Sequence, residues 1–133
     1  MKLYHFTPTL LLNAILKNGL TLGRLPIIDD NGRLRAFMEP CQWLTNNGDW
    51  NSQSWATREL IKYDRTAFRL TIIIPKHHKE KLLKAIDYAP YLPKNSQRLI
   101  TDWPGSEHWY FFVGRIPRGW IRTIEQRPAE VSA

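Results

Sequence analysis

The chain has 133 residues, 43% of them hydrophobic and 12% aromatic, and its 19 basic and 12 acidic side chains give a net charge of +7. This length suits one domain that can bury a core, and the composition excludes a chain that stays disordered. The single cysteine, Cys41, excludes an internal disulfide framework and a zinc site built from several thiolates, so a reducing cytoplasm is the expected location.

The N-terminal segment predicts a strand followed by a helix. KLYHF (residues 2–6) is short and bulky like a strand, and Thr7-Pro8 supplies an N-cap with proline at the first helical turn. Gly19 lies where a left-handed residue would end the helix. Between these limits the apolar residues recur at helical spacing and are expected to face the core: Leu11, Leu12, Ile15 and Leu16.

The next segment, residues 20–40, loses this regularity. Glycines and prolines punctuate it and predict a long, partly mobile loop, although the turn signal DDNG also suits a connection between two short strands. CQWLT (residues 41–45) then predicts a short buried strand. After the turn NNGD, Asn51 or Ser52 is a candidate N-cap for a helix that runs to about Tyr63.

The C-terminal half predicts further strands. FRLTIIIP (residues 68–75) is the clearest, because consecutive β-branched residues disfavour a helix and proline ends the ladder. Residues 79–88 predict a short helix, and residues 87–105, with three prolines, an irregular surface segment. HWYFFV and WIRTI predict two final strands that form a hairpin or a neighbouring pair.

This mixed order of strands and helices predicts an α+β fold. We expect a single domain over residues 1–127 and a flexible C-terminal tail over residues 128–133. No segment approaches the roughly 20 apolar residues that cross a bilayer, and Asn13 interrupts the first apolar run, so neither a membrane partner nor a signal peptide is expected.

The histidines and the cysteine lack the spacing of a metal site or a nucleophile pair. His77, His78 and His108 have the settings of solvated or edge residues, and Cys41 that of a small buried hydrophobe. His5 differs, since it lies inside an apolar strand, where a hydrogen-bonded structural role is the simplest reading. No metal is therefore expected, and the motifs G-x-G-x-x-G, G-x-S-x-G and H-E-x-x-H are absent.

One acidic residue, Glu107, opens the apolar run HWYFFV. A carboxylate at the head of a central strand would lie at the lip of a cleft, whereas the plainer alternative is an acid that faces solvent at a strand end. The tryptophans of residues 43–55 likewise fit either a core or a stacking platform for a planar ring.

Taken in chain order, these segments resemble the ADP-ribosyltransferase fold, in the branch that includes the poly(ADP-ribose) polymerases and related toxins. YHFT, a helix ending in NGL, CQWLT and Glu107 before HWYFFVGRIPRGWI stand where that family has its histidine strand, its "IL..GL" helix, its aromatic strand and its glutamate. The resemblance implies a mostly antiparallel split β-sheet core with two or three helices. It also implies that NAD binds without a Rossmann glycine loop.

The resemblance assigns roles to individual residues. Cleavage of the nicotinamide–ribose bond builds positive charge on the sugar, and a carboxylate stabilises that charge, which assigns catalysis to Glu107 together with His5. His5 would bind the adenosine ribose, Trp43 with Trp55 or Trp50 would sandwich the nicotinamide ring, and Ser52 or Ser54 would bind its amide. The remaining candidate NAD contacts adjoin these positions: Phe6, Thr7 and Thr45.

Three functions stay open on the sequence alone. The first is an NAD-dependent mono-ADP-ribosyltransferase that modifies an unknown protein or nucleic acid, in the cytoplasm of its own or another cell. The second is a noncatalytic basic module that binds nucleic acid through RIPRGWIR and the tryptophans. The third is an RNA 2′-phosphotransferase on the same fold, for which Arg24, Arg33 and Arg35 form no convincing phosphate-binding pattern.

Overall fold

The computed structural model describes residues 2–53 and 66–128. These residues form strands and α-helices linked by short 3-10 turns, in the order β1 (Lys2–Thr7), α1 (Thr9–Asn18), β2 (Leu25–Ile28), β3 (Leu34–Met38), β4 (Cys41–Thr45), β5 (Phe68–Ile73), β6 (Leu82–Lys84), α2 (Ala85–Tyr88), α3 (Lys94–Thr101), β7 (Trp109–Val113) and β8 (Ile121–Gln126). The 3-10 turns that bear on function are Trp50–Ser52, Lys76–Lys81, Ser106–His108 and Arg118–Trp120.

Six strands form one sheet in the order β6-β7-β4-β1-β5-β8, and β2 and β3 form a separate hairpin. Every strand pair within the described residues is antiparallel. The predicted class, α+β with a mostly antiparallel sheet and few helices, is therefore confirmed.

The large sheet is nearly split between β1 and β4. β1 pairs with β5 along its whole length, from Lys2–Ile73 to Thr7–Phe68, whereas it pairs with β4 only at Tyr4–Thr45. β4 in turn pairs with β7 along its whole length. The sheet thus consists of two three-stranded halves, β6-β7-β4 and β1-β5-β8, that meet at one register pair.

The alternation of side chains along the strands separates two hydrophobic cores, one on each face of the sheet. On the first face, α1 covers a cluster that includes Leu3, Ile15, Leu70, Ile72, Phe112 and Ile116. On the second face, α2, α3 and β2 cover a cluster that includes Leu25, Cys41, Ala85, Ile100 and Phe111. The first core spans both halves of the sheet, whereas the second covers only the β6-β7-β4 half.

Several sequence predictions are confirmed. The strands predicted at residues 2–6, 41–45 and 68–75 and in HWYFFV correspond to β1, β4, β5 and β7, and α1 ends at Gly19 as expected. Gly19 has a positive φ of 78° but an extended ψ of −164°, so it is not left-handed. The N-cap is Pro8, without a side-chain bond, because Thr7 remains in β1. Leu16 was expected in the core but is 39% exposed.

The loop predicted for residues 20–40 is wrong over most of its length, because β2 and β3 form a hairpin there. The DDNG alternative gives the correct connection, since the Asp29 carboxylate accepts hydrogen bonds from the amides of Asn31 and Arg33. These bonds hold the pKa of Asp29 below its ordinary value, the Arg33 amide contributing most. The α3 side chain of Ser96 then fixes the hairpin by bonding both Ile28 N–H and the Pro26 carbonyl.

The helix predicted for residues 79–88 is also wrong in its first part. A 3-10 turn ends at Lys81, and β6 follows because Leu82 and Leu83 pair with β7, which overrides their helical propensity. Residues 87–105, predicted to be irregular, contain α3 instead. Their prolines flank that helix rather than interrupt it, with Pro93 as its N-cap.

The final two strands do not form the expected hairpin or neighbouring pair. β7 pairs with β4 and β6, whereas β8 pairs with β5 at the opposite edge of the sheet. The connection between them crosses the first face, where Ile116 forms a bridge with Leu20. The segment after β7 is thereby fixed against the end of α1.

Gln42 joins three segments beside the split. Its buried amide donates to the Gly114 carbonyl at 3.1 Å and accepts from the Gly23 N–H at 3.0 Å. Both ends of the Gln42 side chain are therefore hydrogen-bonded inside the protein.

The helix predicted from residue 51 to about Tyr63 and the predicted C-terminal tail lie largely outside the described residues. Within the described residues, no helix is long and apolar enough to span a membrane.

Candidate functional site

A pocket lies where the chain leaves β4 and where it enters β7. Its volume is about 270 Å³, and its lining residues come from these two connections: Asn47, Asn51, Ser52, Pro104, Gly105, Glu107 and His108. The Asn46 N–H bonds the His108 carbonyl and joins the connections at 3.0 Å. The end of the β4–β7 ladder therefore positions the pocket.

Glu107 lies in the 3-10 turn of Ser106–His108, two residues before β7, and it lines the pocket. Its side chain is 65% exposed and lies 3.7 Å from His108 Nε2. The carboxylate is therefore at the lip of a cleft and also faces solvent, which combines the two alternatives that the sequence left open.

The position of His108 differs from the prediction, which placed this residue at a strand edge. The ring lies in the 3-10 turn instead, between Asn46 and Glu107, with Nδ1 at 2.7 Å from the Asn46 side-chain oxygen. With a proton on Nδ1 the ring donates to Asn46 and leaves Nε2 facing the carboxylate. The two asparagines after CQWLT were the available signal, because they come directly after a buried strand.

Asp49 organises the opposite wall of the pocket. Its carboxylate accepts a bond of 2.7 Å from the Ser52 hydroxyl and one of 3.0 Å from the Asn51 amide. These bonds, the first above all, lower the pKa of Asp49. The Ser52 hydroxyl thus donates its hydrogen bond to Asp49, and its oxygen lone pairs remain as acceptors at the pocket. The buried Gln53 amide donates to the carbonyls of Asn47 and Asp49 and holds this wall in shape.

His5 lies at the split of the sheet. Its Nδ1 is 2.8 Å from the Trp43 carbonyl on β4, so this nitrogen carries the proton and donates. The imidazole replaces a backbone donor at the point where the β1–β4 ladder has stopped. Burial lowers the pKa of His5, and the bond to Trp43 opposes this only in part. The ring is therefore neutral at neutral pH, with Nε2 available as an acceptor.

The other nominated NAD contacts are engaged within the protein. Trp43 packs edge-on against Phe111 at 4.4 Å between ring centroids, and its indole N–H bonds the Arg24 carbonyl. Phe6 and Thr7 are buried, and the Thr45 hydroxyl accepts from the Asn47 N–H. Of the candidates, only Glu107 and Ser52 line this pocket, whereas Trp55 and Ser54 lie outside the described residues.

Trp50, the alternative stacking partner, lies in the same 3-10 turn as Ser52. Its ring packs edge-on against Phe6 at 5.5 Å, and the Arg69 guanidinium lies 4.9 Å from its centroid. Arg69 is held in turn by the Gly48 carbonyl and by Glu125. This packing fixes the turn from which Asn51 and Ser52 reach the pocket.

The remaining chemical groups offer little for catalysis. Cys41 is fully buried, and burial raises the pKa of its thiol to about 12, so it is the small hydrophobe that the sequence predicted. The Arg24 guanidinium lies over Phe37 and Arg35 pairs with Asp29, so neither is presented as a phosphate ligand. Within residues 2–53 and 66–128, no group of three or more His, Cys, Asp or Glu side chains has the geometry to hold a metal.

Comparison of the chain with protein-family models, with curated proteins and with solved structures finds no significant match.

Proposed function

We propose that the protein is an NAD-dependent mono-ADP-ribosyltransferase. The observation that carries this proposal is that Glu107 and Ser52, two residues nominated for the nicotinamide end of NAD, line the same pocket although they are far apart in sequence. The split of the antiparallel sheet, with His5 beside it, supports the proposal, because the family resemblance implies a split, mostly antiparallel sheet.

The size of the pocket suits one end of the dinucleotide. A volume of about 270 Å³ is just below the usual range of about 300–1,000 Å³ for pockets that enclose whole ligands. Register through Tyr4–Thr45 and Thr45–Trp109 puts His5 two strands away from the strand that Glu107 precedes, about 10 Å across the sheet. NAD would therefore extend from the pocket towards the split, with its two riboses near different residues.

Bound NAD supplies an ADP-ribosyl group whose bond to nicotinamide breaks with positive charge developing on the ribose. Glu107 would stabilise charge at that sugar, because it is the acidic residue that lines the pocket. His108 and Asn46 form the wall beside Glu107, since the ring lies between the amide oxygen and the carboxylate.

Ser52 and His5 recognise the two ends. The Ser52 oxygen, whose proton is bonded to Asp49, accepts from an amide N–H₂ such as that of nicotinamide. His5 Nε2 accepts from a ribose hydroxyl, because Nδ1 already donates to Trp43. Both contacts use lone pairs, and both are prepared by bonds within the protein.

The test is the release of nicotinamide from NAD by the purified protein, with cell lysate as the source of acceptors. Glu107→Gln keeps the shape of the side chain and removes its charge, and we expect it to lower kcat about 100- to 1,000-fold, the usual cost of removing one group that stabilises a transition state. The KM for NAD should change little, because Glu107 acts on developing charge.

The matched control is Glu80→Gln, which removes an exposed carboxylate outside the pocket and should leave turnover unchanged. Thermal melting checks that both variants remain folded. Wild-type protein that neither releases nicotinamide nor binds NAD in calorimetry would refute the proposal, as would equal losses in the two variants.

A further inference from the structure

The two densest basic groups of the sequence meet on one surface of the folded protein. One is the 3-10 turn Lys76–Lys81, and the other is residues 115–122, which connect β7 to β8 and include the first two residues of β8. Together they form a basic layer with six exposed cations: Lys76, Lys79, Lys81, Arg115, Arg118 and Arg122. None of these residues lines the Glu107 pocket.

A series of rings joins the two segments. The His78 and Trp120 ring centroids are 4.9 Å apart, and Trp120 packs edge-on against the buried Phe112 at 5.4 Å. Gly19, at the end of α1, closely approaches the backbone of the second segment at Ile116 and Arg118. The basic layer is therefore built on the core of the sheet and has a fixed shape.

The charges of the basic layer are not neutralised within the described part of the chain. Glu80 is the only carboxylate in the two segments, and none of the six cations forms an ion pair with a described residue. Arg118 is bonded to the Ile121 carbonyl, which brings it beside the backbone of Arg122. Unpaired like charges on two segments that pack together favour a polyanion as the partner.

The aromatic rings of the basic layer indicate which kind of polyanion it binds. His77 is exposed, and its centroid lies 4.3 Å from that of His78, so the series from Phe112 ends in an open ring at the surface. A nucleobase can stack on such a ring, and cations around it contact the phosphates. By contrast, no exposed large hydrophobic residue lies in the layer to anchor it in a lipid surface.

We propose that the basic layer binds single-stranded nucleic acid, through the phosphates and through base stacking on His77. This binding is independent of the proposed enzymatic function, because the layer and the pocket share no lining residue. Glu107→Gln must therefore bind nucleic acid as the wild type does, and the two proposals fail separately.

The test is fluorescence anisotropy with a labelled 20-nucleotide single-stranded DNA of mixed sequence, at 50 and 200 mM NaCl. Six phosphate contacts on a single strand give a log–log salt slope of about −4, so Kd should rise about 300-fold over this range. Lys79→Gln with Arg115→Gln removes two contacts, and the rise should fall to about 50-fold. His77→Ala should weaken binding about tenfold at either salt concentration, because stacking is insensitive to salt.

The control is Arg33→Gln with Arg98→Gln, which removes the same charge from exposed positions outside the layer and should keep the 300-fold rise. Equal effects of the two double variants would overturn the proposal, because only net charge would matter. It would also be overturned by absence of DNA binding at 50 mM NaCl, or by binding to vesicles with 30% phosphatidylserine without binding to DNA. Melting curves confirm that each variant is folded.

Discussion

Replacing Gly19 by alanine should destabilise the protein severely. Gly19 ends α1 with φ 78° and ψ −164°, a combination that residues with a Cβ atom rarely adopt. An added Cβ would also overlap the Ile116 carbonyl oxygen and lie 2.9 Å from the Arg118 nitrogen. Both neighbours are backbone atoms, so the clash is not relieved by a change of rotamer.

The backbone strain and the clash together determine the loss in the free energy of unfolding. The strained backbone costs about 2 kcal/mol, and overpacking against backbone costs about 2 kcal/mol more. Gly19→Ala should therefore lower the free energy of unfolding by about 4 kcal/mol, a large part of the 5–15 kcal/mol typical of a domain. Gly32→Ala is the matched control, because Gly32 also has a positive φ, of 77°, but nothing lies within 4 Å of the added Cβ. Strain without a clash predicts a loss of about 1 kcal/mol of stability there.

The assay is urea unfolding followed by tryptophan fluorescence. With a slope of about 1.5 kcal/mol per M, the midpoint should fall by about 2.5 M in Gly19→Ala and by less than 1 M in Gly32→Ala. A Gly19→Ala protein that is unfolded without urea agrees with the same reasoning, provided that Gly32→Ala is folded. Equal midpoints for the two variants would refute it, because the clash would then contribute nothing.

Two further predictions concern titratable groups. Burial lowers the pKa of His5 below its ordinary value of 6.5, so this histidine is protonated in the unfolded chain at a higher pH than in the folded protein. The contribution of neutral His5 to the free energy of unfolding is therefore fully present above pH 6.5. Below pH 6.5 the free energy of unfolding falls by at most about 1.4 kcal/mol per pH unit. Urea midpoints at pH 7.5 and 5.5 measure this decline, which His5→Gln should reduce; an unchanged decline contradicts the prediction. Because burial raises the pKa of Cys41 to about 12, a thiol reagent at pH 8 should label the native protein no faster than the protein unfolds, and rapid labelling would contradict this.

The sequence was sufficient where local signals agree with tertiary packing. β1, α1, β4 and β5 combine suitable spacing, β-branched residues and clear ends, and each was predicted within a few residues. The predictions from the sequence were wrong where the structure of a segment depends on which strand it pairs with. Leu82 and Leu83 are helix formers that become a strand because β7 offers an edge. Likewise, β8 joins β5 rather than β7, which no local pattern encodes.

The candidate site was foreseen only in part for the same reason. Glu107 and Ser52 were nominated from order along the chain, and they line one pocket. His108 was dismissed because its partner, Asn46, comes from a distant segment that the β4–β7 ladder brings beside it. Trp43 was nominated for its type, but its packing against Phe111 depends on the face of β4 that it occupies.

The split between β1 and β4 has an energetic consequence for ligands. A molecule that enters an intact sheet must break a row of backbone hydrogen bonds, each worth about 1 kcal/mol. Beyond Tyr4–Thr45 these two strands share no register pair, and the His5–Trp43 bond spans the gap. A ligand that inserts at the split therefore breaks about one hydrogen bond. The pairing of β1 with β5 and of β4 with β7 keeps each half of the sheet intact.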